Sequence, residues 1–229
     1  MKKLSVSLTQ AETFWGWIWL PVQLVALPVI LEVGNLLLGQ PLSVAELNFI
    51  FFCVNFIGVT VIFRKFLIKN GSVALSLPWK CLRYAAIGLI LYWLLSYVYS
   101  VLLYFIAPDF ANVNDNAIGS MAQENYSLMA FGIVLLVPVA EETLYRGLIF
   151  GSLYNRNRLV AYGVSIAAFA ALHVVGYIGY YPVKQLLLCF FQYIPAGFSL
   201  AWAYAKADSI WAPILMHIAI NQVGILSMR

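Results

Sequence analysis

Two adjacent carboxylates, Glu141 and Glu142, follow an unbroken apolar run from Phe131 to Ala140, and Arg146 stands four residues beyond the second. One acidic group at the centre of a membrane helix costs about 2.5–3.5 kcal/mol to insert, so residues of this kind mark a functional site with a partner. Neighbours on a helix point about 100° apart, which keeps the two glutamates from sharing a direction. Glu142 and Arg146, four apart with the acid first, are in the favourable order for an ion pair. We read them as a buried structural pair. That leaves Glu141 free to face something else, and a carboxylate without a countercharge in a dry site suits a general base.

The chain holds two histidines, His173 and His217, and both fall inside apolar segments. Phe169 precedes His173 by four residues and Asn221 follows His217 by four, so each pair shares a helix face. Glu141, His173, His217 and Asn221 could therefore converge from three helices on one cavity. A base for water beside donors for a developing negative charge is the equipment of a hydrolase. Blander roles stand beside this one. A single membrane histidine serves as well as an interhelical hydrogen-bond donor, and Asn221 alone reads as packing glue.

The positioning elements are helices. Of 229 residues, 63% are hydrophobic and only 10% charged, with a mean hydropathy of +0.89; an ordinary soluble domain carries about 25% charged residues. This is the composition of an all-α, polytopic transmembrane bundle. Seven segments reach the roughly 20 apolar residues a span needs: Thr13–Leu38, Ala45–Phe63, Leu82–Ala107, Ser127–Gly151, Leu159–Tyr177, Gln185–Ala205 and Ser209–Ser227. These runs are too long and continuous for the roughly 10-residue alternating strands of a barrel. Residues 1–229 read as a single integral membrane domain with no soluble part, and the chemistry-bearing half covers about 127–229. The first apolar stretch exceeds the roughly 7–15 residues of a signal-peptide core and reads as a retained span.

Lys2, Lys3, Arg64, Lys65, Lys69, Lys80, Arg83, Arg156, Arg158 and Lys206 all fall on one side of seven spans, against Lys184 and Arg229 on the other. The positive-inside rule then places the N-terminus in the cytoplasm and the C-terminus outside the cell membrane. The acidic stretch Pro108–Tyr126, with Asp109, Asp115 and Glu124, reads as an external loop. The net charge of +4 lies in short loops rather than on one face, so nucleic acid is not a partner. Cys53, Cys81 and Cys189 form no C-x-x-C pair and read as small apolar residues. Glu32 reads as an end-of-helix residue near the outer interface, and Phe14, Trp15, Trp17 and Trp19 as an interfacial belt. Pro138 and Pro213, just before Glu141 and His217, each free a backbone carbonyl one turn back. Gly163, Ala167 and Ala171 form a small-residue face that marks the fifth span as a central packing helix.

Glu141-Glu142-x-x-x-Arg146, Phe169-x-x-x-His173 and His217-x-x-x-Asn221 resemble the three ordered motifs of the CAAX protease and bacteriocin-processing (CPBP, abortive-infection-like) family of intramembrane endopeptidases. The resemblance covers the chain from Phe131 onward; the first three spans match only in being hydrophobic. It implies peptide-bond hydrolysis within the membrane, on a peptide or membrane-protein substrate that enters from the lipid or the cytoplasmic side. In its terms Glu141 and His173 activate water, and His217 and Asn221 stabilise the oxyanion. It favours catalysis without a metal or other cofactor. Glu141, His173 and His217 would be the ligands if zinc bound, although there is no H-E-x-x-H. The compact chain resembles the bacterial members, which are linked to bacteriocin self-immunity, pheromone processing or surface-protein maturation. Two other classes compete. One is a non-catalytic immunity or scaffold protein on the same fold. The other is a small ion-coupled transporter, since buried Glu and His also mark ion paths.

Overall fold

The computed structural model describes residues 3–228; Lys2 and Arg229, counted in the charge argument, lie outside the described residues. Among the described residues six helices are long and apolar enough to cross a membrane. They are α1 (Gln10–Leu36), α2 (Val44–Ile62), α4 (Pro78–Ile106), α6 (Tyr126–Tyr154), α7 (Arg158–Val175) and α8 (Val183–Ala207). The seventh predicted span is α9 (Trp211–Ser227), an apolar helix of 17 residues, at the short limit of about 17 for a spanning helix. The protein is an all-α bundle, and its apolar exterior marks it as a membrane protein. Ile90, Leu94, Val98 and Leu102, along one side of α4, are all exposed, a surface that bilayer hydrocarbon covers and water would not.

Two stretches expected as loops are helical. After Phe63 the chain continues as α3 (Arg64–Ser76), which buries Phe66, Leu67 and Asn70 and leaves Arg64, Lys65 and Lys69 exposed. The acidic stretch forms α5 (Val113–Glu124), started by Asn112, whose side chain accepts from the amides of Asn114 and Asp115. Polar sequence hid both helices, because each has one short buried face rather than a long apolar run.

The start of α1 is fixed by a capping box. Thr9 Oγ1 accepts from the Glu12 amide at 3.2 Å and Glu12 Oε2 accepts from the Thr9 amide at 2.8 Å, satisfying two of the donors every helix start leaves open. The other carboxylate oxygen of Glu12 accepts from the Phe66 amide at 2.7 Å, joining α1 to α3. The Leu4 amide donates to Asn155 Oδ1 and the Ser5 amide to Asp208 Oδ1. Ser209 Oγ donates to the Asn70 carbonyl and the Ile210 amide to Asn70 Oδ1. These bonds gather the N-terminal segment, α3, the α6–α7 turn and the α8–α9 turn at one end of the bundle. Lys3, Arg64, Lys65, Lys69, Arg156, Arg158 and Lys206 lie in or beside these same segments.

The closest helix packing lies elsewhere than expected. A Cβ built at Gly163 meets nothing within 4 Å, and Ala167 is exposed, so the small-residue face of α7 points outward. The packed face of α7 carries Ala161, Ser165 and Phe169. Among the tight approaches are Gly88 of α4, where a Cβ would lie 2.8 Å from Met216 Sδ and 3.2 Å from Ala203 Cβ, and Gly58 of α2, where it would run into the Trp19 ring. Trp19 is thus a packing residue whose indole donates to Asn55 Oδ1 at 2.9 Å, whereas Phe14, Trp15 and Trp17 are exposed.

Three stretches inside the spans wind as π-helix: Val22–Ala26 in α1, and Gly132–Leu136 and Thr143–Phe150 in α6. Bulges of this kind concentrate at functional sites, since the wider turn re-aims side chains and loosens the carbonyl ladder.

Candidate active site

The short α-helical piece Val137–Glu142 sits between the two π stretches of α6 and carries both glutamates. Arg146 follows inside the second stretch. Its Nη1 lies 2.9 Å from Glu142 Oε1, with both side chains fully buried. The guanidinium also donates through Nη2 to the Gly197 carbonyl at 3.2 Å and stands 4.2 Å over the Phe169 ring. One cation thus ties α6, α7 and α8 together.

His217 brings α9 to the same anion. Its Nδ1 is 2.8 Å from Glu142 Oε1, so a single carboxylate oxygen meets both Arg146 and His217. A carboxylate held by a fixed guanidinium accepts, so Nδ1 carries the proton and Nε2 is the nitrogen left for other chemistry. The same logic fixes His173. Its Nδ1 lies 2.9 Å from the Phe169 carbonyl, which can only accept, so Nε2 holds the ring's lone pair. Asn221 spends one amide hydrogen on the Ile133 carbonyl at 2.8 Å. Ile133 belongs to the first π stretch of α6, where the wider turn frees that carbonyl.

Glu141 stands apart. Its Oε2 is buried and makes no hydrogen bond among the described residues. It lies within electrostatic reach of His217, Glu142 and Arg146. Glu141, His173, His217 and Asn221 all line one cavity of about 740 Å³. Cavities of this size take a substrate of several residues or a drug-sized ligand.

Several lining residues escaped the sequence reading. Tyr193, at the joint where Pro195 interrupts the helix path of α8, stacks on the His173 ring at 4.0 Å and 22°. Its hydroxyl accepts from Asn114 Nδ2 at 3.1 Å and donates to Asp115 Oδ1 at 3.2 Å. Asn112, beside them, donates to Gln192 Oε1 at 3.0 Å. So α5 is a polar cover over the histidine end of the cavity. Burial raises the Asp115 carboxyl above its ordinary value, and the Tyr193 hydrogen bond opposes that rise. At the other wall stand Gln23 and Asn55, lone amides in long apolar runs. Their types, placed where polar groups are expensive, were the available signal.

Among the described residues no three His, Cys, Asp or Glu side chains, Glu141, His173 and His217 included, come together as a metal-holding group.

With this arrangement in view, comparison with known proteins is specific. The model of the type II CAAX prenyl endopeptidase Rce1-like family matches residues 123–223, the stretch that contains all four cavity residues named from sequence. Over part of its length the chain also resembles two bacterial proteins. "Putative membrane peptidase YdiL" of Bacillus subtilis (strain 168) is 33% identical over 95 residues, covering 41% of this chain and 34% of YdiL. "UPF0177 protein YxdF" of Lactococcus lactis subsp. lactis (strain IL1403) is 31% identical over 90 residues, covering 39% of this chain and 44% of YxdF. The matches thus span less than half of either relative. No solved structure matches.

Proposed function

We propose that this protein is an intramembrane endopeptidase of the Rce1-like type, cleaving a peptide bond in a prenylated peptide or a membrane-associated protein. The observation that carries the reading is the cavity itself: an unpartnered carboxylate, a histidine with its lone pair on a defined nitrogen, and the side chains of His217 and Asn221 line one space.

In this reading Glu141 and His173 Nε2 hold a water between them. A proton leaves the water, the resulting hydroxide adds to the scissile carbonyl carbon, and the C=O pair moves onto oxygen. The second hydrogen of the Asn221 amide and His217 Nε2–H stabilise that oxyanion. For Nε2 to donate while Nδ1 faces Glu142, the His217 ring carries both protons, with the buried Glu142 carboxylate as its countercharge. The proton held at the base then passes to the departing amine as the C–N bond breaks. Glu142, which holds His217, and Arg146, which holds Glu142, act as positioning residues, since neither touches the reacting atoms. No step runs through a metal. The basic end of the bundle faces the cytoplasm.

The test is cleavage of a library of prenylated and unmodified peptides by the full chain in nanodiscs, with products mapped by mass spectrometry. Glu141→Gln is expected to lose at least about 10²-fold in rate, as removal of a general base does, while keeping its thermal transition. Wild-type activity is expected to survive a strong chelator. Cleavage by Glu141→Gln at the wild-type rate would sink the reading and favour an immunity or scaffold role. Activity lost to chelator and restored by zinc would overturn its metal-free form.

A further inference from the structure

The second wall of the cavity carries polar groups that the mechanism leaves unused. Gln23, on the π stretch of α1, is 3% exposed, and Tyr145, on the second π stretch of α6, is 2% exposed. Both line the cavity that holds Glu141. Gln23 Nε2 and the Tyr145 hydroxyl complete no hydrogen bond among the described residues, although the two groups face one another closely enough to interact. Buried polar groups are normally satisfied, and an orphan on a cavity wall is the exception that calls for a ligand.

The orientation of the Gln23 amide follows from its neighbours. The Trp19 indole can only donate, and it does so to Asn55 Oδ1 at 2.9 Å. Asn55 therefore presents Nδ2 to Gln23, and Gln23 presents Oε1 in return, at 3.4 Å. The end of the glutamine left over is its NH₂ donor. Gly58 lets Trp19 lie against α2, so this relay is built into the contact between α1 and α2.

We propose that Gln23 and Tyr145 form a subsite for the main chain of an extended peptide, one that holds the substrate beside Glu141. The inference rests on the endopeptidase reading. An extended backbone offers carbonyl acceptors and amide donors in alternation. The Gln23 NH₂ supplies a donor for one carbonyl, and the Tyr145 hydroxyl donates to a carbonyl or accepts from an amide. Neither group reads a side chain, so the subsite selects an extended polypeptide rather than a sequence. It also gives α1, which lies outside the Rce1-like segment, a direct part in binding.

The experiment uses the full chain in nanodiscs and the best-cleaved peptide of the library as probe. Tyr145→Phe is the decisive variant, because the lost hydroxyl completes no hydrogen bond among the described residues and the ring keeps its edge contact with Phe169. Gln23→Met is the second. Each is expected to raise KM about three- to tenfold with kcat nearly unchanged, the signature of a lost binding hydrogen bond. Tyr145→Phe is expected to hold or raise the thermal midpoint, since an unsatisfied buried group has been removed. A wild-type KM in both variants overturns the subsite. So does a lowered midpoint in Tyr145→Phe with kcat falling as KM stays fixed. If Glu141→Gln is inactive while both variants keep the wild-type KM, the subsite alone fails. If Glu141→Gln cleaves normally, or the wild type cleaves no peptide, the endopeptidase reading fails and the subsite falls with it.

Discussion

His173 is held from two sides. The Phe169 carbonyl fixes its protonated nitrogen and the Tyr193 ring covers its face, with Tyr193 in turn anchored on Asp115. The raised Asp115 carboxyl gives this anchor a pH dependence of unusual sign. Its folded value lies above its unfolded one, so its contribution favours the fold at low pH and is lost as pH rises through the folded value. Asp115→Asn keeps the acceptor for Tyr193 and removes the charge. The variant is expected to unfold at a higher temperature than wild type near neutral pH, with the gap closing as the medium is acidified below the ordinary aspartate range. Thermal scans across pH check this, and a gap that widens on acidification would contradict it. At this scale residue type and spacing were informative. Two histidines and a glutamate pair in apolar runs named four cavity residues, because such groups are too expensive to be incidental. The bond from His217 to Glu142 was not legible, since it depends on how α9 is rotated against α6, and no local spacing encodes that.

Long apolar runs gave the spanning helices nearly residue by residue, since backbone in lipid must satisfy itself within the helix. Helix contacts were harder to read. Gly163, Ala167 and Ala171 have the right spacing for close packing, yet the first two face outward, while Gly88 and Gly58 make the close approaches without a repeating motif. Spacing shows that a face is small, but whether another helix lies on it is a tertiary matter. The consequence is measurable. Gly88→Ala is expected to destabilise by about 1–3 kcal/mol, because its methyl enters space held by Met216 and Ala203. Gly163→Ala is expected to be neutral or to stabilise by up to about 1 kcal/mol through helix propensity. Reversible unfolding in mixed micelles would separate the two, and equal effects would contradict the packing described here. The polar helices α3 and α5 were the elements missed, and α5 is the one that bears on the site.

For the molecule as a whole, the hydrogen bonds of Leu4, Ser5, Asn70 and Ser209 gather the segments flanked by basic residues at one end. The opposite end carries α5, where Glu124 accepts from the Ala45 amide and Gln185 donates to the Ala111 carbonyl. Orientation in the cell then reduces to which end meets the cytoplasm. With Cys53, Cys81 and Cys189 replaced by alanine, Asn116→Cys is expected to react with a membrane-impermeant maleimide on intact bacterial cells. Lys69→Cys, equally exposed, is expected to react only after permeabilisation. The reverse pattern would invert the orientation drawn from the positive-inside rule.

The π stretches have a meaning at the level of the gene. Each amounts to about one residue beyond what an α-helix of the same rise would hold. To a search for period 3.6, a bulged span therefore looks like two halves that have slipped out of phase. Loss of a single codon within Gly132–Leu136 would heal the bulge and leave an uninterrupted apolar helix, outwardly a milder sequence. It would leave Val137–Glu142 close to its present rotation relative to Tyr126–Phe131, because the residue lost is the extra one. Glu141 would keep its place on the cavity, but the Ile133 carbonyl would return to the helix ladder and leave Asn221 without that acceptor. In most apolar spans a one-codon deletion turns everything beyond it by about 100°; here the bulge would absorb it, and the loss would fall on Asn221 alone.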